Sequence, residues 1–257
     1  MQFQPALAVA KGTRMDALRG RSVKQRPVDA LDFHTKIAIE FDQSYSYDSN
    51  RLERLNIWKA YLAKYASGVD LAYDLGCGSG AITSLLAQYA KRVIAIDGAE
   101  GMLAVARKNA AARGVSDRIE FRQSRLPIPG QVTLPQADIV ISSSAIEYMD
   151  SVPDALAFAR GLLKHQGTLI FSMSNRDSIS RKLVRGVHGI TGRPEYIKYL
   201  QHFVTLADLE QYLEVGGFTP VEFSYFGGAD RLNRFLASLL SPSRANNMIL
   251  IAACPLK

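Results

Sequence analysis

The sequence predicts an α/β fold, a doubly wound Rossmann-like sheet, and three observations predict it. Between residues 69 and 174, short apolar runs alternate strictly with helical segments. The first run ends in a glycine cluster, Gly76-Cys77-Gly78-Ser79-Gly80. The second ends on a carboxylate, Asp97. Short apolar strands separated by helices imply parallel pairing with helices on both faces, since such strands are buried on both sides.

The elements follow in order. Residues 1–30 mix Gly, Ser, Gln and basic residues without periodicity, which predicts a poorly ordered basic extension, either a plain tail or an organellar presequence. Residues 31–257 are expected to form one domain. Apolar residues at Leu52, Leu55, Ile57, Trp58, Leu62 and Tyr65 recur at near-helical spacing, predicting a helix over 48–66 ahead of the first strand. Residues 69–75 read as a buried strand, 81–90 as a helix and 93–96 as a second strand ending at Asp97. A helix over 100–113 is closed by Gly114. Strands follow at 119–122 and 138–143, then a helix at 153–164 and a fifth strand at 167–174. The pattern then breaks for about thirty residues rich in Gly, Arg, Ser and Tyr, long enough to suggest a functional lid over about 176–204. Order returns with a helix at 205–215, strands at 218–226 and 247–253, and a partly apolar helix at 231–240 between them.

Composition narrows the class. No apolar run approaches the ~20 residues of a membrane-spanning helix. Two cysteines, Cys77 and Cys254, make no disulfide framework, fit a reducing cytoplasmic setting and have no metal-site spacing. The net charge of +7 is uneven: residues 1–26 hold six basic side chains against Asp16, and residues 176–198 hold six against two. No recognition helix or RNA-binding module accompanies that charge, so nucleic acid is not the expected partner. Arg176, Arg181, Lys182, Arg185 and Arg193 suit an anionic acceptor or a peripheral contact with a lipid headgroup surface.

The glycine turn opens a helix whose first amides favour an anionic group, a carboxylate as readily as a phosphate. Asp97, at the tip of the adjacent strand, can accept two ribose hydroxyl protons. Taken alone, Gly76 to Ala81 also satisfies the dinucleotide pattern, so a nicotinamide-dependent oxidoreductase stays open. Asp74 argues the other way. A buried carboxylate needs a cationic or hydrogen-bonding partner, and a pyrophosphate would be repelled by it, whereas the amino group of S-adenosylmethionine would pair with it.

With Asp74-Leu75-Gly76-Cys77-Gly78-Ser79-Gly80, then Val93-Ile94-Ala95-Ile96-Asp97 and Met102-Leu103-Ala104-Val105-Ala106-Arg107, the chain resembles the class I S-adenosylmethionine-dependent methyltransferases from about residue 70 onward. It is similar to the branch containing the quinone-biosynthesis and many natural-product enzymes. That resemblance implies a seven-stranded sheet whose last strand is antiparallel, under an N-terminal helical cap, with S-adenosyl-L-methionine as cofactor. It implies that Gly76, Gly78 and Gly80, with Cys77 between them, meet the methionyl end, Asp97 the ribose, and Gly98 and Met102 the adenine. The acid the family often uses for the adenine amino group is missing here, leaving Gln123 or Ser124 to replace it. Residues 142–147, Ser143 among them, fall where donor and acceptor meet. Phe41 to Asp48 resembles the aromatic lead-in folded over the donor, with Tyr45 and Tyr47 as caps.

The expected reaction is methyl transfer to a small molecule, with an oxygen nucleophile favoured and a partly apolar acceptor suggested by the aromatic residues at 196–203. Methylation of RNA or protein and a noncatalytic partner subunit are the alternatives. A hydroxyl acceptor needs a base, and a carboxylate does not. Among the four histidines His202 is the first candidate, ahead of His188 and of Glu147 or Tyr148, while His34 and His165 are set aside as structural.

Overall fold

Strand β1 (Leu71–Leu75) explains the architecture in five residues, because its side chains are buried on alternating faces. In the computed structural model, which describes residues 28–128 and 134–256, Ala72 joins one hydrophobic layer while Tyr73 and Leu75 join the other. Strand β2 (Arg92–Asp97) does the same with Val93 and Ala95 against Ile94 and Ile96. A strand buried on both faces shows no polar alternation, which is why its sequence reads as a continuous apolar run.

With β3 (Ile119–Gln123), β4 (Ala137–Ser143), β5 (Leu163–Ser174), β6 (Phe218–Phe226) and β7 (Met248–Pro255), these strands form one sheet in the order β3-β2-β1-β4-β5-β7-β6. Strand β7 runs antiparallel to both neighbours, while β1 to β5 pair in parallel. The order reverses between β1 and β4, which places a crevice at their carboxyl ends.

One face carries α2 (Ser49–Tyr65), α3 (Ala81–Tyr89) and α4 (Glu100–Ala112), contributing Trp58, Leu62, Leu86 and Leu103. The other carries α5 (Val152–Leu162) and α7 (Leu206–Val215), contributing Leu156, Ala159, Leu209 and Leu213. Each such fully buried side chain contributes about 1.5–3 kcal/mol of transfer free energy. Helix α5 stops at Leu162, two residues before the expected end. Strand β5 takes over there, and Lys164 pairs with Asp138 of β4 at 2.6 Å.

Two helices depart from the sequence expectation. The first, α1 (Val28–Gln43), spans a stretch to which the sequence assigns no helix of its own; only its first three residues fall in the extension expected over 1–30, and residues 1–27 lie outside the described residues. The apolar pattern of α1 is blurred because it serves two surfaces. Ala38 packs with Ala99 and Met102 of the α4 region, whereas Leu31, Phe33 and Ile37 face a cavity. The second, α6 (Ile179–Thr191), lies in the segment expected to be irregular. Ser178 caps it by accepting the Arg181 amide, and Gly192 at φ +70° ends it. Its interior glycines, Gly186 and Gly189, each cost ~1 kcal/mol in helix propensity, and Leu183, Val187 and Ile190 stay exposed. Neither feature reads as a buried helix. Between β6 and β7 lie α8 (Arg231–Ala237) and the short α9 (Pro242–Ala245). Among the described residues, no helix is long and apolar enough to cross a membrane.

Candidate functional site

The crevice at the strand ends opens into a cavity of about 660 Å³, within the range of small-molecule sites. Its floor is the glycine turn, and α1, α2 and α6 close over it.

Gly76 sits at φ +77°, and a Cβ there would lie 2.1 Å from the Cβ of Ala145 in the loop after β4. Only a glycine lets these two loops touch. The amides of Gly76 and Cys77 both donate to the carbonyl of Ile96, at 2.8 and 3.1 Å, tying the turn to β2. Asp97 completes the tie: its Oδ2 accepts from the Gly78 amide and its Oδ1 from the Ala99 amide, each at 2.8 Å. Each oxygen keeps a lone pair free for a further donor. Burial pushes the Asp97 carboxyl above its usual range, partly offset by those amides.

Asp74 is buried, and its Oδ2 accepts from the Thr83 hydroxyl at 2.6 Å, while its Oδ1 has no partner among the described residues. Desolvation lifts its pKa from 3.8 to about 7. The raised value fixes a sign. Below about pH 4 both folded and unfolded chains hold the proton. As pH rises from 4 to 7 the unfolded chain releases it first, so the contribution of Asp74 to ligand-free stability falls by about 4 kcal/mol over that window. Asp74→Asn should flatten the slope, which urea denaturation at pH 5 and pH 8 would read; an equal slope in both proteins would refute the assignment.

Of the residues singled out in the sequence, Asp74, Gly76, Cys77, Gly78, Asp97, Gly98, Met102 and Ser143 all line the cavity. The Ser143 hydroxyl is buried without a partner, as Asp74 Oδ1 is. Burial drives the Cys77 thiol well up, so it fills space as a neutral group.

Four expected residues lie outside the cavity wall. Gly80, at φ +77°, approaches Ala106 of α4, so its role is helix contact. The Ser124 hydroxyl donates to the Arg125 carbonyl and the Ser124 amide to that of Asp97; Arg125 and Leu126 line the cavity instead. Tyr47 points outward, 69% exposed, because Asp48 beside it turns the chain into α2 as its N-cap; Tyr45 lines the cavity in its place. His202 lies off the wall as well: its Nε2 is 2.9 Å from the Met149 carbonyl, and its backbone amide donates to the Glu147 carbonyl.

The histidine on the wall is His34, read as structural from the sequence. Its ring meets Tyr148 edge-on at 5.0 Å, and burial lowers its pKa to about 4, so it is neutral near pH 7. Glu147, also on the wall, is 3% exposed; one carboxylate oxygen accepts from the Ser174 amide, and burial raises its pKa. The sequence reading missed Arg51 and Arg54, three residues apart on one side of α2, because that helix was recognised by its apolar residues alone. Beside them, Glu53 Oε2 accepts the amides of Gly227, Gly228 and Ala229 and holds the loop after β6 near the cavity.

Residues 73–171 match the family described as a methyltransferase domain. That stretch runs from β1 into β5 and carries the glycine turn and Asp97. The chain is 29% identical over 154 residues to the ubiquinone biosynthesis O-methyltransferase of Roseobacter denitrificans, a match covering 58% of this chain and 60% of that protein. The chain thus spans about three-fifths of the length of the curated relatives it matches first. Among solved structures, it is similar to the N-methyltransferase NodS of Bradyrhizobium japonicum in complex with S-adenosyl-L-homocysteine, with TM-score 0.63, 17% identity, and coverage of 89% of this chain and 99% of that one. The DhpI–SAH complex gives TM-score 0.63 at 17% identity, covering 91% and 99%. The two solved structures share their fold with this chain.

Proposed function

We propose that the whole chain transfers the methyl group of S-adenosylmethionine to an oxygen of a small-molecule acceptor. The observation that carries the reading is one cavity with two unlike ends. At one end Asp97 and the unpartnered Asp74 Oδ1 and Ser143 Oγ offer what a nucleoside and an amino-acid tail require. At the other, α2 and α6 bring Arg54 and Arg181, beside Tyr148, Tyr196 and Phe226.

The residues fit the cofactor on that ground, and when bound it supplies an already activated methyl group on a sulfonium. Asp74 would hold the ammonium, Asp97 the ribose hydroxyls, and Gly98 and Met102 the adenine. Leu31, Phe33, Phe41 and Tyr45 would exclude water from that end. Alignment of the two reactants by rigid walls can supply up to ~7–11 kcal/mol of barrier reduction. For a hydroxyl acceptor, Glu147 is the group on the wall that can take the proton, since burial lifts its basicity and the Ser174 amide fixes one of its oxygens.

Calorimetric titration with S-adenosylhomocysteine, with NAD and NADP alongside, tests the reading. Micromolar binding of the sulfur ligand alone is the expected result. At pH 7 that binding should release on the order of half a proton, because the arriving ammonium favours ionised Asp74. Binding of the dinucleotides alone would transfer the site to an oxidoreductase.

A further inference from the structure

The acceptor end of the cavity is walled by three guanidinium groups as well as by carboxylates. Arg51 and Arg54 reach it from α2 and Arg181 from α6. The ion pairs among the described residues all lie elsewhere. Arg51 stacks its guanidinium on Phe41 at 3.9 Å. Arg181 spends one terminal nitrogen on the Tyr196 hydroxyl at 3.0 Å and the other near Met248 sulfur at 3.3 Å, leaving Nε buried without a partner among the described residues. Arg54 makes no hydrogen bond with its side chain among the described residues, and burial pulls its pKa down.

The carboxylates nearby are otherwise engaged. Asp48 caps α2, and Asp230 caps α8 while also holding Asn50. Glu147 remains, and it lies close enough to Arg54 and Arg181 for each to favour its ionised form. Among the described residues, Arg54 and the Nε of Arg181 thus keep planar donors unspent beside the cavity. Such an arrangement is costly in an empty protein and becomes favourable when an anion arrives, since charge-assisted bonds to guanidinium are among the strongest available.

We infer that the acceptor is an aromatic oxyanion, a carboxylate or a phosphate ester, held between the guanidinium of Arg54 and Nε of Arg181. This rests on the methyl-transfer reading for the word acceptor, although the anion site stands on its own geometry. The aromatic walls are Tyr148, Tyr196 and Phe226. The same donors disfavour amines, which bring an ammonium where an acceptor is needed. They also give the two helices that close the cavity one arginine each on the ligand, so the anion itself would draw α2 and α6 together.

The test titrates the full chain with benzoate, phenyl phosphate, benzamide and benzylamine, with and without S-adenosylhomocysteine. Benzoate or phenyl phosphate should bind at least tenfold tighter than benzamide, and whichever binds better names the oxyanion. Benzylamine should not bind. Arg54→Gln and Arg181→Gln should each erase most of the acid-over-amide preference while the melting temperature stays near the parent's, and either variant alone suffices if the other fails to fold. Equal binding of benzoate and benzamide, no saturable binding of either acid, or full preference retained in a folded variant would overturn the inference. Acid binding without any affinity for S-adenosylhomocysteine would leave the anion site standing and remove the methyltransferase reading.

Discussion

Asp97→Ala should lower affinity for S-adenosylhomocysteine by about a hundredfold or more while leaving the ligand-free fold intact. Hydrogen bonds to a charged group contribute about 1.5–3 kcal/mol each, and the proposed ribose contact uses two, so about 3–6 kcal/mol is at stake. Stability should hardly suffer. Burial already makes the ionised carboxylate unfavourable, raising its pKa, so its removal relieves a desolvation cost that offsets the two amides it leaves behind. Asp97→Asn separates shape from charge. It fills the same volume, but one of its two ends becomes a donor facing an amide donor, so its affinity should fall nearly as far. Calorimetry with a melting curve on each variant decides the matter, and parental affinity in a folded Asp97→Ala protein would end the ribose assignment.

The parts of this molecule that were legible in the sequence are those whose side chains answer to one surroundings only. Strands β1, β2 and β4 are buried on both faces, so their apolar runs could mean little else. Asp74, a carboxylate inside such a run, stood out because burial makes it expensive. Helix α1 did not, since Leu31 and Phe33 face a cavity while Ala38 faces α4, and the two apolar stripes add to a pattern without a period. Helix α6 hid behind its glycines and its exposed Leu183, Val187 and Ile190.

The acceptor end was the least legible part, because it is made by pairs far apart in the chain. Nothing near Arg54 announces Arg181, and nothing near His34 announces Tyr148. His202 was chosen for its place before α7, yet position along the chain does not set where a ring points, and a backbone carbonyl claims it. Tyr47 and Ser124 lie off the wall for the same reason. Each lies one or two residues from a cavity residue, Tyr45 or Arg125, and a turn of the chain decides which of the two faces inward.

The glycine turn allows a sharper experiment, because two glycines share a backbone conformation and differ in their surroundings. Gly68 and Gly76 both sit at φ +77°. A Cβ on Gly68 would meet nothing within 4 Å, whereas one on Gly76 would fall 2.1 Å from Ala145 Cβ. Gly68→Ala should therefore cost only the left-handed conformation, about 1–2 kcal/mol, with ligand affinity unchanged. Gly76→Ala incurs the same cost and must also push apart the loops after β1 and β4, an overpacking worth a further ~1–3 kcal/mol or more. That displacement moves the Gly76 and Cys77 amides off the Ile96 carbonyl and takes Ser143, two residues before Ala145, with it. Affinity for S-adenosylhomocysteine should drop at least tenfold in Gly76→Ala alone. Denaturation midpoints and titrations on the pair read both effects. If the two variants lose equal stability and bind equally well, the contact between the turn and Ala145 has no role in shaping the site. If only Gly76→Ala loses binding, the close approach of these two loops, and not the glycine conformation, builds the donor end.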